Sequence, residues 1–182
     1  MTDPTDVITD DPGELRAALI DQLRYLVDEV EALKGIIDRV PEPVQAGRPL
    51  PDALTLKEIY GTIAAEDAEV HLPRLRAMVE AEGAPPAFEP VSDEVLAEDE
   101  AWNEQSMDTI LDRLQDARRD LVAFLEALPL EAWAQTATFG DETHTLYEVV
   151  HGIMQTDTDR LRTVSHRLHD TNLTGRKRDL PK

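Results

Sequence analysis

The sequence predicts an all-α protein, a four-helix bundle with a kinked second helix. Three observations carry this: four long stretches have apolar residues advancing by threes and fours, prolines gather between those stretches, and no segment shows strong strand alternation. With 182 residues and no cysteine, the chain fits one domain that buries its core without disulfides or a cysteine-based metal site.

The first ten residues are polar and rich in Asp and Thr, and are expected to be disordered. Asp11-Pro12-Gly13-Glu14 then reads as an N-cap, a proline at the first helical position and a Glu three residues after the cap. The helix that follows has a stripe of Leu15, Leu19, Leu23, Leu26, Val30, Leu33, Ile37 and Val40, and ends at Pro41 and Pro43. A loop is expected over Glu42–Ala53. Thr55-Leu56-Lys57-Glu58 opens the second helix as a capping box, in which the Thr hydroxyl and the Glu carboxylate each satisfy the other's backbone N–H. Its stripe of Leu56, Ile59, Tyr60 and Ile63 continues through Val70, Leu75 and Met78. Pro73 interrupts that stripe, so a kink or split is expected near Val70. The acidic stretch Val91–Asn103 shows only weak periodicity.

The third helix is predicted from Ser106 to Ala127, stopped by Pro129. Between Leu130 and His144, Trp133, Thr136, Thr138 and Phe139 surround Gly140-Asp141, the pattern of a short hairpin or an irregular lid. A second capping box, Thr145-Leu146-Tyr147-Glu148, starts the fourth helix, which is expected to run to about His169. The domain is thus placed at residues 11–169, with a basic C-terminal tail over 170–182.

Charge narrows the function. The chain carries a net charge of −20; residues 1–159 hold 11 Lys and Arg against 36 Asp and Glu, and residues 160–182 hold 7 against 2. Such an acidic body repels nucleic acid and anionic membrane, so neither is expected as a partner. The tail, with Arg176-Lys177-Arg178, is read as complementing the last helix dipole and the acidic body. The N-terminal residues lack a signal-peptide pattern and no apolar run is long enough to span a bilayer, which predicts a cytoplasmic protein. Gly-rich phosphate loops, nucleophile elbows and assignable triads are missing, so no catalytic residue is named. Trp102, Trp133 and Tyr147 read as packing anchors.

The stretch Leu54–Glu69, followed by Leu72-Pro73-Arg74-Leu75, resembles the second-helix signature of the DinB-like superfamily. That signature reads as a capped start, a Lys-Glu pair, an apolar pair and then Gly-His-Leu-Ala-Asp. Thr145–Leu161 resembles the last core helix of the same superfamily, and with helix order the resemblance covers most of residues 12–169. It implies a homodimer. It also implies a divalent metal held by three histidines, one on helix two and two spaced i, i+4 on the last helix, as in relatives acting as metal-dependent thiol-S-transferases and isomerases. Here the matching positions are Thr62, Thr156 and Arg160. Threonine is a poor transition-metal ligand, and a guanidinium has no lone pair to offer.

The expected site is therefore a metal-free pocket formed by Thr62, Glu66, Thr156 and Arg160, with no cofactor. Arg160 is expected to point into the cleft and pair with Glu66, which lies one turn beyond Thr62, with the Thr62 and Thr156 hydroxyls completing the hydrogen bonding. No two of the five histidines are spaced i, i+4, and an oxygen-rich site from Glu66, Asp67 or Asp157 is weighed against ordinary solvated faces, which the abundance of carboxylates favours. The function expected is a small-ligand-binding or interaction module. The alternatives are a thiol-S-transferase or isomerase with a relocated metal site, and a purely structural dimer.

Overall fold

A computed structural model of the chain describes residues 11–37, 39–92, 95–97 and 101–178, with side chains followed to residue 169. The expected disorder of residues 1–10 lies outside the described residues.

Helix α1 spans Pro12–Ile37. Asp11 starts it: its Oδ1 accepts from the Gly13 N–H at 2.7 Å and the Glu14 N–H at 3.1 Å. The linker is not all loop as expected, because Glu42–Gln45 forms a single turn, α2. Pro43 fits in that first turn, where its missing N–H has no helical partner to lose. The turn buries Gln45, whose Nε2 donates to the Val40 carbonyl at 2.7 Å and the Ile37 carbonyl at 3.3 Å, closing the end of α1.

Helix α3 runs Leu56–Ala65 from the expected capping box, with Thr55 N–H donating to Glu58 at 2.8 Å and Glu58 N–H to the Thr55 hydroxyl at 3.0 Å. The Lys-Glu pair that follows is buried. Lys57 donates to Glu42 at 2.5 Å and to the Gln105 carbonyl at 2.6 Å, while Glu58 also accepts from Asn103 at 2.8 Å. These bonds tie the start of α3 to distant chain on both sides. At Gly61 the helix has no room for a side chain, because an added Cβ would stand 2.1 Å from the Trp102 ring.

The kink expected at Pro73 is resolved in another way. The chain passes without a break from α3 into one π-helical stretch, Glu66–His71, and then into α4, Leu72–Glu80. Proline at 73 removes a donor and its ring crowds the carbonyl four residues back. Widening the preceding turn relieves that conflict, and the Leu72 N–H bonds to the Asp67 carbonyl, five residues behind it.

The weakly periodic acidic stretch contains a helical turn at 95–97 and a 3₁₀ turn at Trp102–Glu104. Helix α5 spans Met107–Ala127 with Ser106 as its cap. After a 3₁₀ turn at Leu130–Ala134, β2 (Thr136–Phe139) and β3 (Glu142–Thr145) form a hairpin closed by Gly140-Asp141, Gly140 taking φ +60° as a two-residue II′ turn requires. Strand β1 (Ala87–Phe88) adds to β2 in parallel, so the bundle does carry a small sheet, of order β1-β2-β3. Helix α6 spans Leu146–Arg178, past His169 where the apolar pattern places its end.

Helix α5 packs on both α1 and α3, and α6 closes the bundle against them. The core falls into two apolar clusters. One contains Leu26, Ile63, Leu114 and Val164; the other contains Leu23, Leu72, Leu121 and Ile153. Between them in sequence on three helices sit Asp67, Arg118 and Asp157, all buried.

Candidate functional site

The wide turn decides which side chains meet. On an α-helix, residues five apart are rotated by about 140° from one another and face different ways. On the π stretch they align, so Glu66 and His71 both line one cavity, with His71 Nε2 3.8 Å from Glu66 Oε2. The cavity has a volume of about 300 Å³. Arg74 of α4 continues its wall, Phe139 and His144 of the hairpin form another side, and Glu148, Val149, Gly152, Ile153 and Thr156 of α6 complete it.

Arg160, one turn beyond Thr156 on α6, forks onto Glu66 with Nη1 on Oε2 and Nη2 on Oε1 at 2.9 Å. Their side chains are only 10% and 12% exposed. Glu148 is also engaged, its carboxylate accepting from the Thr145 N–H at 2.7 Å and from the Thr145 hydroxyl at 2.9 Å. Those bonds hold its carboxyl below the usual range. His71 is shifted down as well, which for a base removes the charge: burial, then the positive charges of Arg118, Arg160 and Arg74, lower its pKa to about 3, so the imidazole is neutral. Arg74 donates to the Glu89 carbonyl and lies over the rings of Phe88 and Phe139 at 5.4 and 5.7 Å, which fixes its plane at the cavity edge.

Behind Glu66 is a second, drier set of charges. Arg118 donates from Nε to Asp67 Oδ2 at 2.6 Å, from Nη2 to Asp67 Oδ1 at 3.2 Å and from Nη1 to Asp157 Oδ2 at 2.7 Å. Its side chain is 1% exposed and that of Asp67 is 0%. Burial alone would weaken the hold of Arg118 on its proton, but the two carboxylates more than offset this and bind it more firmly than usual. Burial raises the Asp67 carboxyl to about 6 against the pull of Arg118. The three residues link α5 to the π stretch and to α6.

The structure thus brings Glu66 to Arg160 and places Thr156 on the cavity wall, but it separates Thr62 from them. Thr62 is fully buried on α3, outside the cavity lining, and its hydroxyl has no hydrogen-bond partner among the described residues. The hydroxyl support expected from Thr62 for Arg160 is therefore not made. Reading Asp67 and Asp157 as solvated faces is also corrected, since both are buried on Arg118. Arg118, His71 and Arg74 were not singled out for the site by sequence reasoning. A signal existed for Arg118, four residues after Leu114 and three before Leu121 on the apolar stripe. None existed for His71, because nothing local in the sequence tells that the turn before Pro73 widens and brings residues five apart onto one face.

A metal of the kind the resemblance implies does not fit the three matching positions. Thr62 and Thr156 offer hydroxyls, and Arg160 brings a permanent cation already forked onto Glu66. Among the described residues no three of His, Cys, Asp or Glu are grouped so as to hold a metal ion. Nor is any described helix long and apolar enough to cross a membrane.

Comparison with known proteins agrees with the fold. The family model of the DinB superfamily matches residues 48–164, which include both capping boxes, the π stretch and the Arg118 cluster, and the chain belongs to that superfamily. Among solved structures it is similar to YfiT from Bacillus subtilis, described as a probable metal-dependent hydrolase with an unusual four-helix bundle topology; the TM-score is 0.76 at 14% sequence identity, over 94% of each chain. At that identity the likeness concerns the fold. No curated protein matches the sequence.

Proposed function

We propose that this DinB-superfamily chain works without the family's three-histidine metal site and holds a small ligand in the cavity between the π stretch, the hairpin and α6. The observation that carries this is the fork of Arg160 on Glu66. A guanidinium stands where the resemblance places a metal-binding histidine, and it neutralises the nearby carboxylate that would otherwise attract a divalent ion. The cavity remains beside that pair, of a size suited to a small molecule and with an apolar wall of Phe139, Val149 and Ile153. We place the protein in the cytoplasm, as a homodimer; light scattering giving a monomer mass would remove the dimer and leave the cavity reading intact.

The competing reading is a metal-dependent enzyme, a thiol-S-transferase or isomerase with a relocated metal, and YfiT's description as a probable metal-dependent hydrolase keeps metal chemistry in view for this fold. Elemental analysis of protein purified without a histidine tag, joined to melting curves with added zinc or nickel, separates the two. An ion that binds only the folded chain stabilises it by about 2.7 kcal/mol at a hundredfold excess over its dissociation constant. The expected result is no stoichiometric metal and no shift in Tm. Stoichiometric zinc or nickel, or a shift abolished by chelator, would overturn the metal-free reading.

A further inference from the structure

We propose that the cavity selects a small ligand with an apolar, aromatic-sized body and an anionic group, the anion being read by Arg74. This rests on the small-ligand reading above and names the chemistry that reading leaves open.

Charges at the cavity differ in how fully they are partnered. Glu66 has both oxygens on Arg160, and the carboxylate of Glu148 is held by the N–H and hydroxyl of Thr145. At Glu66 a cationic ligand would have to compete with Arg160, while Glu148 is held through Oε2 alone and is exposed to water, which screens its charge. Arg74 is less engaged: it feels the Glu66 carboxylate at a distance but makes no ion pair with it among the described residues. Its one hydrogen bond among the described residues goes to the Glu89 carbonyl, a neutral acceptor, although a guanidinium has five donors in a planar fork suited to a carboxylate. The rings of Phe88 and Phe139 hold that plane in position, so little side-chain entropy is lost when an anion docks. His71, kept neutral by burial and three arginines, adds a hydrogen-bonding edge to the wall without adding a charge.

The wall of α6 leaves room for the ligand body. Gly152 lies well inside this helix, where glycine is less favourable than alanine. No packing contact requires it, since a Cβ built there meets no packed atom of the described residues within 4 Å. Its place in the cavity lining means that the missing side chain is cavity volume, in a wall that also carries Phe139, Val149 and Ile153. The −20 charge of the chain opposes anions at long range, but at physiological salt charges beyond about 8 Å are largely screened, so the contact with Arg74 decides.

Three probes sharing one body test this: 3-phenylpropanoate, its primary amide and 3-phenylpropylamine, each titrated into isotope-labelled full-length protein while backbone amide shifts are followed by NMR. The expected result is that the carboxylate binds most tightly and moves signals at His71, Phe139, Gly152 and Thr156. Arg74→Gln should weaken the carboxylate about tenfold and leave the amide unchanged, as expected for loss of one charge-assisted contact. Gly152→Leu, checked for an unchanged Tm, should abolish binding of all three by filling the space. If the amine or the amide binds as well as the carboxylate, or Arg74→Gln changes nothing, the anion inference is overturned while the small-ligand reading stands. If none of the probes moves the cavity signals, both fall.

Discussion

Glu66 and Asp67 are neighbours on the same wide turn, yet each serves a different arginine in a different medium. Asp67 turns inward to Arg118, where both side chains are almost fully removed from water and a third residue, Asp157, completes the set. Glu66 turns to the cavity edge and meets Arg160, with the neutral His71 and the cationic Arg74 close by. At the inner group Arg118 and Asp67 are sealed from water, and only Asp157 reaches the edge of a neighbouring cavity. The outer pair borders open space that water or a ligand can enter. Similar ion-pair geometry therefore carries different consequences, because the penalty for an unpaired charge depends on what else can solvate it.

The largest effect is expected at the inner group. Arg118→Ala leaves two carboxylates buried without a counter-charge and should lower stability by about 4 kcal/mol in urea unfolding. Replacing Arg118, Asp67 and Asp157 together by Leu should recover most of that loss, because well-packed apolar side chains avoid the desolvation penalty altogether. A loss under about 1 kcal/mol for Arg118→Ala would show that water reaches the cluster and would erase the contrast with Arg160.

The next effect appears on acidification and comes from His71, which faces Glu66, Arg160, Arg74 and Arg118. Its folded pKa, about 3, lies below the ordinary value of 6.5, so between these the unfolded chain takes up a proton that the folded chain refuses. Stability contributed by the neutral imidazole is present above pH 6.5 and is lost as pH falls towards 3, by about 3 kcal/mol after allowance for partial exposure. Asp67 acts in the opposite sense, since its folded carboxyl protonates near 6 and its unfolded one near 3.8. Its contribution therefore grows as pH falls through that interval. His71→Gln should make the acid side of the stability curve shallower; urea titrations at several pH values that show parent and variant losing stability equally would mean that His71 titrates normally.

The smallest effect is expected at the outer pair. Arg160→Ala should cost about 2 kcal/mol, between the values for exposed and fully buried pairs, and Arg160→Met with Glu66→Leu should recover most of it. If Arg160→Ala destabilises as much as Arg118→Ala, the cavity gives Glu66 no relief. If it unfolds like the parent, the fork contributes only position.

Local sequence determined where the helices begin and which faces they bury. Asp11, Thr55, Ser106 and Thr145 cap backbone donors within three residues of themselves, and the apolar stripes of α1, α3, α5 and α6 follow from a period that any helix imposes. The Arg160–Glu66 pairing was legible because the DinB-like resemblance places those two helices together. The buried charges were legible in part: Asp67 follows Ile63 by four and Asp157 follows Ile153 by four, each on an apolar stripe as Arg118 is, but a stripe does not tell which charges from separate helices meet. Tertiary structure decided that match, and it left Thr62 buried away from the pair it was expected to support. It also placed the hairpin's Phe139 and His144 across the cavity from α6. Above all it set the wide turn before Pro73. The proline makes the conflict visible in the sequence, but whether a helix kinks, breaks or widens depends on the packing of the chain around it, and widening is what puts Glu66 and His71 on one wall.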